Sequence, residues 1–275
     1  MARKWLITGV SSGFGRELAT AALARGDHVA GTLRKVDQLA DFEALAPGRA
    51  HAVLLDVTDA AAIGPAVGAC IERLGGLDVL VNNAGYGLFG CAEELDDAEI
   101  RHCMETNFFG TLGVVRAALP TLRQQGGRIL NFSSLAGMCG IPGAGIYNAA
   151  KFAVEGLSEA LAIELAPFGI HTTIIEPGGF RTNFASGSQR MATNPIAAYS
   201  GTPGGQIPKV MAQFAGNEPG DPAKAVQALL QIADAESPPL RFVMGADVNK
   251  AVARKVSQVL KDIEVWREVS EATAF

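Results

Sequence analysis

Tyr147 and Lys151 stand four residues apart in YNAAK, and Ser134 stands thirteen residues before the tyrosine. On a helix, side chains at i and i+4 share a face, so this spacing brings a phenol beside an ammonium. A free phenol titrates near pH ~10. A neighbouring ammonium favours the phenolate and draws proton exchange toward neutrality. Such a phenol protonates a carbonyl oxygen as hydride arrives at the carbon, and its phenolate takes the alcohol proton in reverse. Of the three tyrosines, Tyr86, Tyr147 and Tyr199, only Tyr147 has a lysine at this spacing. Ser134 follows the apolar run GRILNF, at a strand end where ligands meet an α/β sheet. Its hydroxyl can donate to the developing oxyanion, with Ser133 as the adjacent alternative.

A second constellation lies at the N-terminus. TGVSSGFGRELA places Gly9, Gly13 and Gly15 between a strand and a helix, with Ser11, Ser12 and Phe14 among them. Glycines let the backbone approach a pyrophosphate, and the following helix N-terminus offers N–H groups and positive dipole. This predicts a dinucleotide site. An NAD site usually carries Asp or Glu at the end of the second strand, whereas an arginine there receives a 2′-phosphate. HVAGTLRK offers Leu33 and then Arg34 and Lys35. NADP(H) is therefore favoured and NAD(H) is the alternative. The other reading of Arg34 and Lys35 is as ordinary solvated loop cations.

TGVSSGFG at 8–15, NNAG at 82–85, Asn107 in ETNFFG, Ser134, YNAAK at 147–151 and PGGFRT at 177–182 together resemble the short-chain dehydrogenase/reductase family in order and spacing. GTLRK and YNAAKFAVEGLSEALAIELAPFGIH further resemble its hydroxysteroid and retinol dehydrogenase branch. The resemblance implies a catalytic set of Asn107, Ser134, Tyr147 and Lys151. In it Lys151 also holds nicotinamide-ribose hydroxyls, and Asn107 holds a water that continues the proton relay. The familiar serine spacing favours Ser134 over Ser133. The resemblance also assigns cofactor contacts to Asp56 and Val57 at the adenine, to Asn83, Ala84 and Gly85 after a strand, and to Pro177, Gly178 and Thr182 around the carboxamide. Asp56 is alternatively a turn residue, and Asn82 a brace for the sheet. Relatives pair their long helices, here those holding Asn107 and Tyr147, into homodimers or homotetramers.

These residues need a scaffold. KWLIT, HVAGTL, HAVLL, LDVLV, GRILNF, IHTTIIE and LRFVM are near-continuous apolar runs, as parallel strands buried on both faces require. Helical patterns such as GRELATAALARG and AAIGPAVGACIERLGG alternate with them. The prediction is one α/β domain over 1–275: a Rossmann-type, doubly wound parallel sheet of about seven strands flanked by helices. The Gly-, Pro- and polar-rich stretch at about 180–221 is expected to be a substrate lid with a short helix near IPKVMAQFA. Its Phe180, Phe184, Met191, Ile196, Tyr199, Ile207, Met211 and Phe214 suggest a hydrophobic carbonyl substrate. A C-terminal amphipathic helix is expected at about 247–270, where Val252, Val256, Val259, Leu260 and Ile263 recur at helical spacing.

Composition narrows the class. With 48% apolar and 19% charged residues, the 275-residue chain can bury a large core. A net charge of −5 with scattered cations argues against nucleic-acid binding. The opening MARKWLITG runs straight into a strand without a signal-peptide pattern, and charges or glycines interrupt every apolar stretch that might span a membrane. Four cysteines without metal or CxxC spacing fit a reducing cytoplasm, and the histidines form no ligand cluster, so no metal is expected. The sequence thus predicts an NADP-preferring oxidoreductase interconverting a carbonyl and an alcohol. An NAD-dependent secondary-alcohol dehydrogenase and a non-catalytic nucleotide sensor are the alternatives.

Overall fold

Each of the seven apolar runs becomes a strand in the computed structural model, which describes residues 2–182 and 184–275. Met1 and, within the expected lid, Asn183 lie outside the described residues. The strands are β1 (Lys4–Ile7), β2 (His28–Leu33), β3 (Ala50–Leu54), β4 (Val79–Asn82), β5 (Gly87–Phe89), β6 (Gly127–Phe132), β7 (Ile170–Pro177), β8 (Gln189–Met191) and β9 (Arg241–Met244). Seven form one parallel sheet in the order β3-β2-β1-β4-β6-β7-β9, the doubly wound α/β architecture. The short strands β5 and β8 pair with each other, also in parallel. The helices are α1 (Gly13–Ala24), α2 (Leu39–Glu43), α3 (Ala60–Leu74), α4 (Asp97–Met104), α5 (Gly110–Gln125), α6 (Leu135–Met138), α7 (Gly145–Leu165), α8 (Phe184–Gly187), α9 (Ile207–Phe214), α10 (Pro222–Asp234), α11 (Ala246–Val265) and α12 (Arg267–Glu271).

The sheet is buried on both sides because alternate residues of one strand serve opposite cores. Trp5 and Ile7 of β1 pack with Leu18 and Leu23 of α1 and Leu229 of α10. Leu6 between them packs with Val67 of α3, Val114 of α5 and Leu161 of α7. Full burial of each such aliphatic side chain contributes about 1.5–3 kcal/mol. Local signals set where helices begin. Asp59 accepts from Ala61 N and Ala62 N to cap α3. Asp96 and Glu99 form a reciprocal capping box at α4, and Asp221 precedes Pro222 to start α10.

Two buried polar assemblies fix α7 against the sheet. Asn82 Nδ2 donates to Asn131 Oδ1 at 2.8 Å, Asn131 Nδ2 to Ser158 Oγ at 2.9 Å, and Ser158 Oγ to Val154 O at 2.7 Å. The chain links β4, β6 and α7, so Asn82 braces the sheet. Farther along, Arg241 of β9 binds Glu155 and Glu159 of α7 and Glu176 of β7. Glu155 lies one helical turn beyond Lys151 and is buried, as is Glu176.

Among its described residues the 180–221 stretch holds α8, β8, α9 and a 3-10 turn at Ala197–Tyr199. The C-terminal segment is two helices in place of one, because Trp266 leaves the helical region at φ −105° and ψ 11°. Ile263, Val265 and Trp266, all restricted at χ1, crowd that turn and weaken it. Among the described residues no helix is long and apolar enough to cross a membrane.

Candidate active site

The strand order reverses between β1 and β4, and a crevice opens beyond the carboxyl ends of the strands there. It is a cavity of about 610 Å³. Its floor is the loop from β1 to α1. Gly9 has φ +72° and Gly13 φ +57°, conformations open to glycine without strain. Gly15 is demanded by space: a Cβ there would lie 2.4 Å from Gly9 O and 2.5 Å from Asn83 Nδ2. Asn83 Nδ2 donates to Thr8 O at 2.9 Å and Gly9 O at 3.0 Å, and Thr8 Oγ1 accepts from the N–H groups of Asn83 and Ala84. The loop is therefore held in shape by the segment after β4.

Three of the four expected catalytic side chains meet at the other end. Ser134 leaves β6 extended and caps α6, its hydroxyl accepting from Ala136 N at 3.1 Å. Ser134 and Tyr147 line the cavity together at this end. Tyr147 sits in the first turn of α7 between Phe89 and Phe184, each with ring centroids 6.2 Å away. Lys151, one turn on, donates from Nζ to Phe132 O at 2.8 Å and lies 5.8 Å from the centroid of the Tyr147 ring.

Burial governs this end. It raises the Tyr147 phenol pKa, with the Ser134 hydrogen bond opposing it. It lowers that of Lys151 to about 8, against the attraction of Cys103 and Glu155. The sequence reading, from the neighbouring ammonium, expects a lowered phenol. In the structure burial raises it instead, because removing a phenolate from water outweighs the opposing influence of the Ser134 hydroxyl. The resting tyrosine is a neutral phenol holding its proton.

Asn107 lies behind them: a Cβ on Gly85 would be 2.6 Å from Asn107 Oδ1 and 3.6 Å from Lys151 Nζ. It is fully buried in a π-helical turn (Glu105–Phe109) between α4 and α5. Nδ2 donates to Tyr86 O and Cys103 O, and Oδ1 accepts from Tyr86 N. This side chain pins the segment after NNAG to α4 and has no surface on the cavity. Gly15 likewise lies beneath the cavity wall.

The remaining expected cofactor residues all line the cavity: Ser11, Ser12, Phe14, Arg34, Lys35, Asp56, Val57, Ala84, Gly85, Pro177, Gly178 and Thr182. Arg34 and Lys35 are exposed at the end of β2. Asp56 is also a turn residue, its Oδ1 accepting from Thr58 N and Oγ1. These bonds and the nearby Arg34 hold its carboxyl below the usual range despite partial burial. Phe180, Phe184, Ile207, Met211 and Phe214 of the lid stretch line the cavity, whereas Met191, Ile196 and Tyr199 do not. Tyr199 instead donates to Glu93 at 2.7 Å, and the Ile196 N–H to Glu94.

The sequence reading missed Tyr86 and Phe89, which follow NNAG directly, and Arg190 and His102 opposite them. The Tyr86 ring lies 5.5 Å from His102 and 5.0 Å from the Arg190 guanidinium. A three-residue strand such as β5 carries too few residues to announce itself, so proximity to NNAG was the available signal.

Comparison with known proteins places this geometry. A family model described as short chain dehydrogenase matches residues 3–193. Oxidoreductase BOA17 of Botryotinia fuckeliana is 38% identical over 276 residues, covering 100% of each chain. A short-chain dehydrogenase from Streptomyces avermitilis superposes with a TM-score of 0.92 at 42% identity, over 100% of both chains. An alcohol dehydrogenase from the archaeon Thermococcus sibiricus, complexed with 5-hydroxy-NADP, superposes with a TM-score of 0.72 at 25% identity, covering 89% of this chain and 96% of that one.

Proposed function

The chain belongs to the short-chain dehydrogenase family and is an NAD(P)-dependent oxidoreductase of alcohols and carbonyls, and from that premise we propose that it is an NADP(H)-preferring reductase of hydrophobic ketones or aldehydes with Tyr147 as its proton donor. The observation that carries this reading is the buried Tyr147, with Lys151 Nζ 5.8 Å from its ring centroid and Ser134 lining the same cavity.

The nicotinamide cofactor supplies the hydride when bound. The residues present fit such a group, since the Gly9–Gly15 loop leaves the α1 N-terminus open toward the cavity. Ser11, Ser12, Gly13 and Phe14 would hold its pyrophosphate, Asp56, Val57, Asn83, Ala84 and Gly85 its adenosine side, and Pro177, Gly178 and Thr182 its carboxamide. Ser134 donates to the substrate oxygen, Tyr147 gives that oxygen its proton, and Lys151 stabilises the phenolate left behind. Asn107 acts as a positioning residue, holding the Tyr86 backbone. Phe89, Phe180, Phe184 and Met211 favour a bulky apolar substrate, in keeping with the resemblance to the hydroxysteroid and retinol branch.

The test is turnover of NADPH and NADH, measured separately over aryl ketones, aldehydes, steroids and diketones. Arg34→Glu is expected to raise the KM for NADPH about 10- to 100-fold while sparing NADH, matching the loss of a charged hydrogen bond of about 1.5–3 kcal/mol. Equal loss with both cofactors would remove Arg34 from the 2′-phosphate site. The absence of an acid at the end of β2 and the bound 5-hydroxy-NADP of the archaeal structure support the NADP reading.

The pH dependence is set by Lys151. With its pKa lowered to about 8 and that of Tyr147 raised, the first group lost on raising the pH is the ammonium. Reduction measured as kcat/KM is expected to be flat below pH 8 and to fall above it. A profile flat to pH 10 would separate Lys151 from catalysis.

The four free cysteines support a reducing, cytoplasmic setting. Exposed Phe109 and Phe152, on the segments that hold Asn107 and Tyr147, support the homo-oligomer implied by the family resemblance.

A further inference from the structure

Helix α11 leaves the body of the protein after the fully buried Val248, and from Ala253 onward every residue is exposed. Val256, Val259, Ile263 and Trp266 are 48%, 40%, 54% and 63% exposed. Helices owe most of their stability to packing of an apolar face, and this face is bare in the single chain. Within α11, Val252, Val256, Val259 and Ile263 are spaced four, three and four apart. A four-three repeat is the seam of a left-handed coiled coil, and Leu260, 61% exposed, widens it on one flank.

The charges are sorted along the helix. Residues 246–257 carry Lys250, Arg254 and Lys255 against Asp247 alone, with no ion pair to any of the three cations among the described residues. Toward the C-terminal end acids predominate, and Arg267 is already engaged by Glu264 at 2.5 Å. This order opposes the helix macrodipole, which prefers acids at the start and bases at the end. An isolated helix gains nothing from it. An antiparallel copy does, since each basic half then lies along an acidic half with opposed dipoles.

We propose that α11 pairs antiparallel with α11 of a second copy of this chain across a two-fold axis. The heptad register sets Val256 against the partner's Val259 and Ile263 against the partner's Val252. Lys255 then flanks the seam beside the partner's Asp262, and the symmetry repeats the ion pair. This interface is separate from the face of α5 and α7 and does not depend on the substrate assigned above. A lipid surface is the less suited occupant, because membrane-lying helices carry cations along their whole polar face.

The test is the mass of the full-length protein in solution by light scattering across a concentration series, with turnover as a check on folding. Val259→Asp with Ile263→Asp is expected to halve the assembly mass while leaving turnover intact, these side chains being exposed in the single chain. Lys255→Asp and Asp262→Lys are each expected to weaken assembly several-fold, and the double exchange to restore it. A monomeric wild type, an unchanged mass in the Asp variant, or single and double exchanges of equal effect would overturn the proposal. So would flotation of the wild type with anionic phosphatidylserine vesicles that the Asp variant loses without change of mass.

Discussion

Tyr147→Phe is expected to lower kcat for carbonyl reduction by about 100- to 10,000-fold, the range lost with a positioned general acid. The substitution deletes one hydroxyl and keeps the ring that packs between Phe89 and Phe184, so the fold and cofactor affinity should stand. Loss of the phenol leaves Ser134 as the remaining donor toward the substrate oxygen. A hydrogen bond polarises that oxygen but does not protonate it, and the alkoxide has no acid within reach. Steady-state NADPH oxidation, with cofactor binding followed by fluorescence, separates chemistry from folding. Full activity in this variant would overturn the mechanism; lost cofactor binding would instead assign Tyr147 a structural role.

Arg241→Met is expected to destabilise the protein by roughly 3 kcal/mol, near the lower end of what breaking a buried pair costs, because the guanidinium is 30% exposed. In a chain of this size that corresponds to a fall in Tm of about 5–10 °C. Arg241 neutralises Glu155 and Glu176, which are 7% and 0% exposed, and methionine fills the space without the charge. The pKa of Glu155 is already raised by burial and by Glu176, with Arg241 opposing. Removing the cation raises the folded-state value further above the unfolded carboxyl near ~4.3. The folded variant then holds a proton that the unfolded chain has released, so its stability falls as the pH rises through neutrality and recovers toward pH ~5. Thermal unfolding at several pH values reads this directly. A Tm deficit that grows on acidification would have the wrong sign and would show that Arg241 acts through packing.

Much of this was legible because parallel strands buried on both faces must be written as unbroken apolar runs. KWLIT and GRILNF could not be solvated on either side, and each became a strand of the main sheet. The glycine loop was legible for a different reason: a turn that brings Gly15 against Gly9 O tolerates no Cβ. What escaped depends on surroundings more than on residue type. The i, i+4 spacing puts Lys151 near Tyr147, yet spacing carries no measure of burial, and burial decides the direction of the phenol's shift. Asn107 reads as a polar helix residue in either role, and only the backbone around Tyr86 shows which hydrogen bonds its side chain makes. GLF and QRM are too short to display a period.

Those two short strands belong to a larger attachment. Beyond the β5–β8 ladder, Glu93, Glu94 and Glu99 receive hydrogen bonds from Tyr199, Ile196 and Thr193, so residues 188–199 hang on residues 87–99. The chemistry is anchored in the sheet, whereas the mouth of the cavity is an appendage built from two stretches far apart in the chain. The two stretches form one structural unit. A transplant of the 188–199 segment from a relative with another substrate would arrive without its sockets unless residues 87–99 travelled with it, and the Ser134–Tyr147–Lys151 scaffold could remain untouched beneath either version.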